Sequence, residues 1–216
     1  MTSTKNSLKK LELLPFKVDT SKLHDILERY PHLWDMNTAR TAHPDSPHHE
    51  LSDIWVRYAG QDSVTDGVHI SRWLDLAKVL PVKDLVDEVM SHLKAKELGG
   101  VLITRQPPGA TCHPHVDGGK GSWHADHFEK VAVSITSAPG QFFCVEELSV
   151  EPAPGDVWYF DNWHEHWVTN QTEHDRMTLI ICFRCDEALG QAQTLREQQR
   201  HGAVSVTPGH RTISCQ

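Results

Sequence analysis

From residue 100 to residue 184 the chain breaks into short β-prone runs, at 101–106, 112–115, 130–136, 141–145, 157–160, 163–168 and 177–184, each bounded by turn-forming residues. Seven such runs at this spacing leave few architectures open, because a short strand buries one face only by packing against other strands. A sandwich or a barrel is the expected outcome. The first hundred residues read differently. An apolar patch, Leu11 to Phe16, suits an edge strand, residues 21–30 suit a helix, and 34–50 is a loop rich in Pro, His and Asp. A strand is expected at 53–58, and helical periodicity returns at 71–79 and 82–98, broken at Pro81 and ended by Gly99-Gly100. Helices placed before a barrel of this kind commonly pack on one of its sheets.

The 216 residues match one structural domain. Within it the reading separates a helical and edge-strand extension (1–98), a β core (99–184) and a polar C-terminal helix and tail (185–216). The helix expected at 186–200 suits an edge support or a homo-oligomeric contact. A net charge of −8 provides no basic stripe for phosphates and argues against nonspecific nucleic-acid binding. The first ten residues lack the apolar core of a signal peptide and no run is long enough to span a bilayer, so a cytoplasmic, membrane-free protein is expected. Cys112, Cys144, Cys182, Cys185 and Cys215 form an odd set that suits reduced thiols. Cys182 and Cys185 make a lone C-x-x-C at the end of an apolar strand, where burial explains them better than zinc or redox chemistry.

Chemistry concentrates in two clusters. The first is Thr111-Cys112-His113-Pro114-His115-Val116-Asp117, and the second runs from Gly155 through His166 to Asn170 and is followed by Asp175-Arg176 to Ile181. Residues two apart on a strand project to one side, so His115 and Asp117 can hold a single ion. Two imidazoles and one carboxylate occupy one face of an octahedral ferrous ion and leave positions for a chelating cosubstrate and dioxygen. Polar residues 169–175 between two β-prone runs predict a hairpin that brings Arg176 beside His166. Its planar fork matches the distal carboxylate of an oxo-acid. A His113/His115 pair competes with His115/Asp117 and ranks below it. His164 is expected to line the pocket or to bind a backbone group.

The order H-x-D, distal His, then Arg ten residues later resembles the Fe(II)/2-oxoglutarate-dependent dioxygenases. The runs 109–117, 160–166 and 175–176 are similar to the aspartyl/asparaginyl β-hydroxylase-like branch, and the resemblance covers roughly residues 99–184. It implies a mainly β fold with flanking helices, a double-stranded β-helix of jelly-roll or cupin type, with the metal at its open mouth. It also implies His115, Asp117 and His166 as ligands of Fe(2+), Arg176 as the 2-oxoglutarate clamp and O2 as co-reactant. The activity implied is hydroxylation of a C–H bond in an amino acid, related small molecule or peptide side chain, with release of succinate and CO2. Asp117 completes a triad that vertebrate members of the branch lack.

Lys130 stands at a strand start where relatives often carry a basic residue, and it is a candidate for a carboxylate of cosubstrate or substrate. His124, Asp126 and His127 lie in a connection that could close over substrate. Arg40, Ser46, His48 and Arg57 mark a segment that could feed the barrel mouth, with Arg57 a candidate for an acidic substrate group. The seven tryptophans read as core or rim aromatics. Two other readings compete with the oxygenase. One is a metal-binding cupin module such as an isomerase or sensor, in which Arg176 would be an idle surface residue. The other is a structural zinc protein, for which the cysteine spacing is poor.

Overall fold

The computed structural model describes residues 9–58, 64–65, 68–69, 71–117 and 128–184, the backbone alone at 35, 64–65 and 68–69. The expected helix at 186–200, the connection carrying His124, Asp126 and His127, the first eight residues, Cys185 and Cys215 lie outside them.

Eight strands make the core: β6 (Glu97–Gln106), β7 (Thr111–His115), β8 (Glu129–Thr136), β9 (Gln141–Val145), β10 (Leu148–Val150), β11 (Asp156–Phe160), β12 (His166–Asn170) and β13 (Arg176–Arg184). β11, β8, β13 and β6 lie side by side in a large sheet, and β10, β9, β12 and β7 form a small one. Successive strands cross between the two sheets, except at the tight β9–β10 hairpin, and this is the winding of a double-stranded β-helix. The expected jelly roll is therefore the observed fold. β1 (Leu11–Lys17) caps the β11 edge of the large sheet, while β2 (Ser52–Tyr58) and β5 (Arg72–Trp73) extend the β6 edge. β3 (Val64–Thr65) and β4 (Val68–His69) form a separate hairpin.

Period-2 alternation on the large sheet serves two cores. Val131, Val133, Val157, Tyr159, Leu179, Ile181, Val101 and Ile103 face a layer holding Leu23 and Leu27 of α1 (Ser21–Arg29) and Val82, Leu85, Val86 and Val89 of α2 (Val82–Leu93). The i, i+3, i+4, i+7 spacing on α2 is the apolar stripe that makes it a helix against a sheet. The intervening residues face the small sheet, where Ala132, Trp158 and Phe160 meet Cys112, Phe143, Val145 and Val168. Gly155 enters β11 at φ +83, and a Cβ there would lie 2.6 Å from the Val18 carbonyl oxygen, so only glycine fits that turn.

Two expected helices change. Residues 71–79 form β5 and a 3-10 turn (Asp75–Lys78), because Trp73 pairs with Arg57 of β2. The helix expected over 82–98 stops at Leu93, where Lys94 turns left-handed at φ 53, and Glu97–Gln106 becomes the long strand opposite β13. Strand pairing outweighed local helical periodicity in both places. The strand expected at 163–168 begins at His166, since Asp161 Oδ1 accepts the Trp163 N–H (3.1 Å) and its carbonyl accepts that of His164 (3.1 Å), making a turn. Among the described residues, no helix is long and apolar enough to cross a membrane.

Candidate metal centre and carboxylate pocket

β7 and β12 are neighbours in the small sheet, and their register sets His115 opposite His166. The register then slips: Val168 pairs with Cys112, so three steps on β7 match two on β12. The extra residue is a bulge around His113 and Pro114. Proline, with no N–H to give a ladder, is confined to such positions inside a sheet. As a result Cys112 and His115 both turn inward although three apart, and His113 turns outward. Regular alternation, which put His113 and His115 on one side, does not hold here. His113 Nε2 donates to Glu50 Oε1 (2.9 Å), and His113 is outside the inward group.

Asp117 sits just past β7, where its N–H bonds the Asn162 carbonyl (3.0 Å). Its Oδ1 lies 3.6 Å from His115 Nε2 and its Oδ2 3.6 Å from His166 Nε2. The three ligand atoms fall within 4.8 Å of one another. Both imidazoles are oriented identically: His115 Nδ1–H donates to the His113 carbonyl (2.7 Å) and His166 Nδ1–H to the His164 carbonyl (2.9 Å). A carbonyl only accepts, so Nδ1 of each ring carries a proton and Nε2 is the atom turned to the shared site. Such backing bonds are the usual support of metal-binding histidines.

Burial opposes charge on Asp117, but Lys130 and the two imidazoles hold its carboxyl well below the ordinary range. Burial lowers His166 to about 4, so it is neutral. In His115 burial is overridden by contacts with Asp117 and Cys112, and its value rises to about 9. His48 meets the His115 ring edge-on (centroids 4.6 Å) and is pushed down to about 2 by burial and by Arg40. Lys130 Nζ contacts Asp117 Oδ2 at 2.5 Å, and despite burial that carboxylate raises its pKa.

Arg176 opens β13, only 4% exposed, with its guanidinium carbon 5.6 Å from the Trp158 ring centroid. Its Nε and Nη2 have no hydrogen-bond partner, and burial lowers its pKa to about 10. Arg176 is thus not an idle surface residue. A single cavity joins it to His115, Asp117, His166 and Lys130, with Phe143, Phe160, Val168 and Leu51 as apolar walls. Thr104, Gln106 and Thr178 line the same cavity, and Thr104 Oγ1 and Gln106 Oε1 also lack partners. These three were missed in the sequence. Strand alternation could have found them, since Gln106 pairs with Arg176 and Thr104 with Thr178 on the inward face.

Other candidates fall elsewhere. Arg57 donates to the carbonyls of Gly99 (3.0 Å) and Leu98 (3.2 Å) and covers Trp73, so it is not a pocket residue. His164 pairs with Glu146 (2.8 Å) and offers the pocket only its backbone carbonyl. Arg40 and His48 do line the cavity, Arg40 being held by a two-pronged bond to buried Asp53 (2.7 and 2.8 Å). Ser46 serves the loop, its hydroxyl donating to the Arg40 carbonyl (2.5 Å). Cys182 is buried, which raises its thiol to about 11 and leaves it inert.

The computed structure resembles an oxidoreductase of the 2OG-Fe(II) oxygenase family from Burkholderia pseudomallei, with TM-score 0.51 and 17% identity over 81% of this chain and 84% of that one. A viral collagen prolyl hydroxylase from Paramecium Bursaria Chlorella virus-1 in complex with 2OG gives TM-score 0.49 and 11% identity, covering 82% and 97% of the two chains. A Pseudomonas putida prolyl-4-hydroxylase gives 0.46 and 13%, covering 82% and 94%. No curated protein matches the sequence significantly. The likeness to the Burkholderia protein shows a shared fold. The family model for aspartyl/asparaginyl beta-hydroxylase matches residues 76–185, which takes in α2 and all eight core strands. That match spans just over half of the 216 residues and encloses both inward histidines, Asp117 and Arg176, so the chain belongs to the aspartyl/asparaginyl β-hydroxylase family.

Proposed function

We propose that this hydroxylase is an Fe(2+)- and 2-oxoglutarate-dependent dioxygenase acting on an amino acid, a related small molecule or a peptide side chain. The observation that carries the reading is the buried, unpartnered Arg176 guanidinium in the same cavity as the His115, Asp117 and His166 group. A cation without an acid partner is costly in a protein interior, and an anionic ligand is what removes that cost.

The donor set fits a ferrous ion: two imidazole Nε2 atoms, that of His115 once its proton is displaced, and one carboxylate on one face, each oriented from behind. With dioxygen, bound iron and 2-oxoglutarate supply the oxidising power that hydroxylates a C–H bond, yielding succinate and CO2. The chain's own residues do the positioning. Arg176 offers Nε and Nη2 to the distal carboxylate, with Thr104 and Thr178 beside it. The Trp158 ring, 5.6 Å from the guanidinium carbon, gives the cation an aromatic face. Lys130, already paired with Asp117, steadies that carboxylate and places a second cation beside the cosubstrate. Phe143, Phe160 and Val168 exclude water from the reacting centre.

Anaerobic titration of the Fe(II)-loaded protein with 2-oxoglutarate, followed by the visible charge-transfer band of the chelate, tests the reading. A saturable band that weakens in Arg176→Ala supports it. Bound iron with no band in the wild type would instead point to a metal-binding module.

A further inference from the structure

His113, displaced outward by the bulge, is not idle. Its ring stacks on His49 (centroids 5.0 Å, planes 6° apart), and the Glu50 carboxylate approaches both rings. Glu50 Oε1 is 2.9 Å from His113 Nε2 and 3.5 Å from His49 Nε2, and the three ligand atoms are within 4.8 Å of one another. An ion held tetrahedrally at ~2.0–2.1 Å keeps neighbouring ligand atoms ~3.3 Å apart, between the two spacings seen here.

The histidine geometry supplies a second, independent indication. His49 Nδ1–H donates to the Ser46 carbonyl (2.8 Å), so its proton is on Nδ1 and its Nε2 lone pair faces Glu50. This is the same backing bond that orients His115 and His166 in the inner group. The Glu50 carboxylate is anchored too, its Oε2 accepting the Thr111 N–H (2.6 Å). The side chains are partly exposed, 39% for His49, 34% for Glu50 and 43% for His113, so an ion reaches them from solvent.

We propose that His49, Glu50 and His113 form a second metal site, for a divalent ion of the zinc class, on the outer face of β7, separate from the inner His115, Asp117 and His166 group. Two imidazole nitrogens and one carboxylate oxygen bind the ion, and water completes a tetrahedron. The Nε2 proton that His113 now donates to Glu50 is exchanged for one on Nδ1, which frees the Nε2 lone pair for the ion. The ion cross-links residues 46–50 to β7, adding to the Pro47 carbonyl that already accepts the His113 N–H (2.8 Å). That segment carries His48 against His115, and the His113 carbonyl holds His115 Nδ1, so the outer ion stiffens the strand that presents the inner ligand.

The test is Zn(2+) titration of the metal-stripped full chain against a chromophoric chelator, for the parent, His49→Ala and Glu50→Gln, repeated in a His166→Ala background. Glu50→Gln keeps an oxygen for the Thr111 N–H, so it guards against a folding defect. The expected result is loss of one zinc equivalent, or a weakening of about tenfold or more, in both variants and both backgrounds. Variants that bind zinc with the stoichiometry and affinity of their parents overturn the proposal. Because the backgrounds share each outer-site change, failure of the inner group as an iron site leaves the comparison intact.

Discussion

His115 and His166 face each other across the β7–β12 pair, and each donates its Nδ1–H to the carbonyl two residues before it in sequence. One backbone device, used on both strands, points two Nε2 atoms at the same place. Asp117 closes the face at 3.6 Å from both. Removing any one of the three leaves two donors for an ion that needs a complete face. His115→Ala, Asp117→Ala and His166→Ala are each expected to abolish succinate release and iron retention. A variant that stays active and iron-replete would sink the ligand assignment.

Arg176 separates binding from stability. Because its guanidinium is buried with Nε and Nη2 unpartnered, Arg176→Met removes an uncompensated polar group while filling similar space. Thermal denaturation without cosubstrate is expected to give an equal or higher Tm. Affinity for 2-oxoglutarate should fall by about 2–5 kcal/mol, the usual cost of truncating one side of a buried charged pair. A lower Tm with unchanged 2-oxoglutarate affinity would mean that Arg176 is a structural residue.

Metal binding should depend on pH through His115. Its value of about 9 means that the metal-free protein carries a proton there at neutral pH, whereas His166 is neutral and Asp117 already ionised. A ligating imidazole must lose that proton. Metal affinity at the inner group is therefore expected to rise about tenfold per pH unit and to flatten near pH 9, as followed by manganese(II) EPR titration. The metal-free fold shows the opposite sign. A value raised above the unfolded ~6.5 contributes stability that is complete below that pH and is lost as pH climbs through about 9. Affinity independent of pH from 6.5 to 8.5 would contradict the assignment.

Lys130 contacts Asp117 at 2.5 Å, so it is expected to act on a metal at the inner group through that carboxylate. Partners behind a metal ligand are typically worth about 10- to 100-fold in affinity. Lys130→Met is expected to weaken iron binding by that range and to raise the pKa of Asp117, readable by NMR titration of the carboxyl. Unchanged iron affinity would leave Lys130 to the cosubstrate alone.

Asn170 joins the turns at the Arg176 end of the barrel. Its Nδ2 donates to the carbonyls of Gln106 (2.9 Å), Pro107 (3.0 Å) and His174 (2.7 Å), while its Oδ1 accepts from Gln141 (3.0 Å) and Thr172 (2.8 Å). It is 1% exposed, so Asn170→Ala strands several buried groups at once. A loss of about 2–4 kcal/mol is expected in urea unfolding, from an unsatisfied-group cost of about 1–3 kcal/mol each with some relaxation. A change below about 0.5 kcal/mol would show that the network is dispensable.

Much of this was legible in the chain because it is local. Alternation in 130–136 and 177–184 marked strands that the fold contains, and H-x-D, His166 and Arg176 marked the residues that line one cavity. The helix expected at 71–79 failed because periodicity carries no knowledge of the β2 edge that recruits Trp73. His164 was expected to line the pocket or to bind a backbone group, yet the turn set by Asp161 sends its ring to the Glu146 carboxylate.

By itself the sequence determined the strand pattern of the β core, the order of His115, Asp117, His166 and Arg176 along it, and the excess of acidic over basic residues, since these follow from side-chain chemistry and spacing along one chain. Tertiary structure alone decided which of the neighbouring histidines face inward. A bulge at Pro114 exists only against the ladder of β12, and it turns His113 to Glu50 while keeping His115 opposite His166. The burial of Arg176 without a partner is likewise a property of two sheets closing over it, and no local spacing encodes that enclosure.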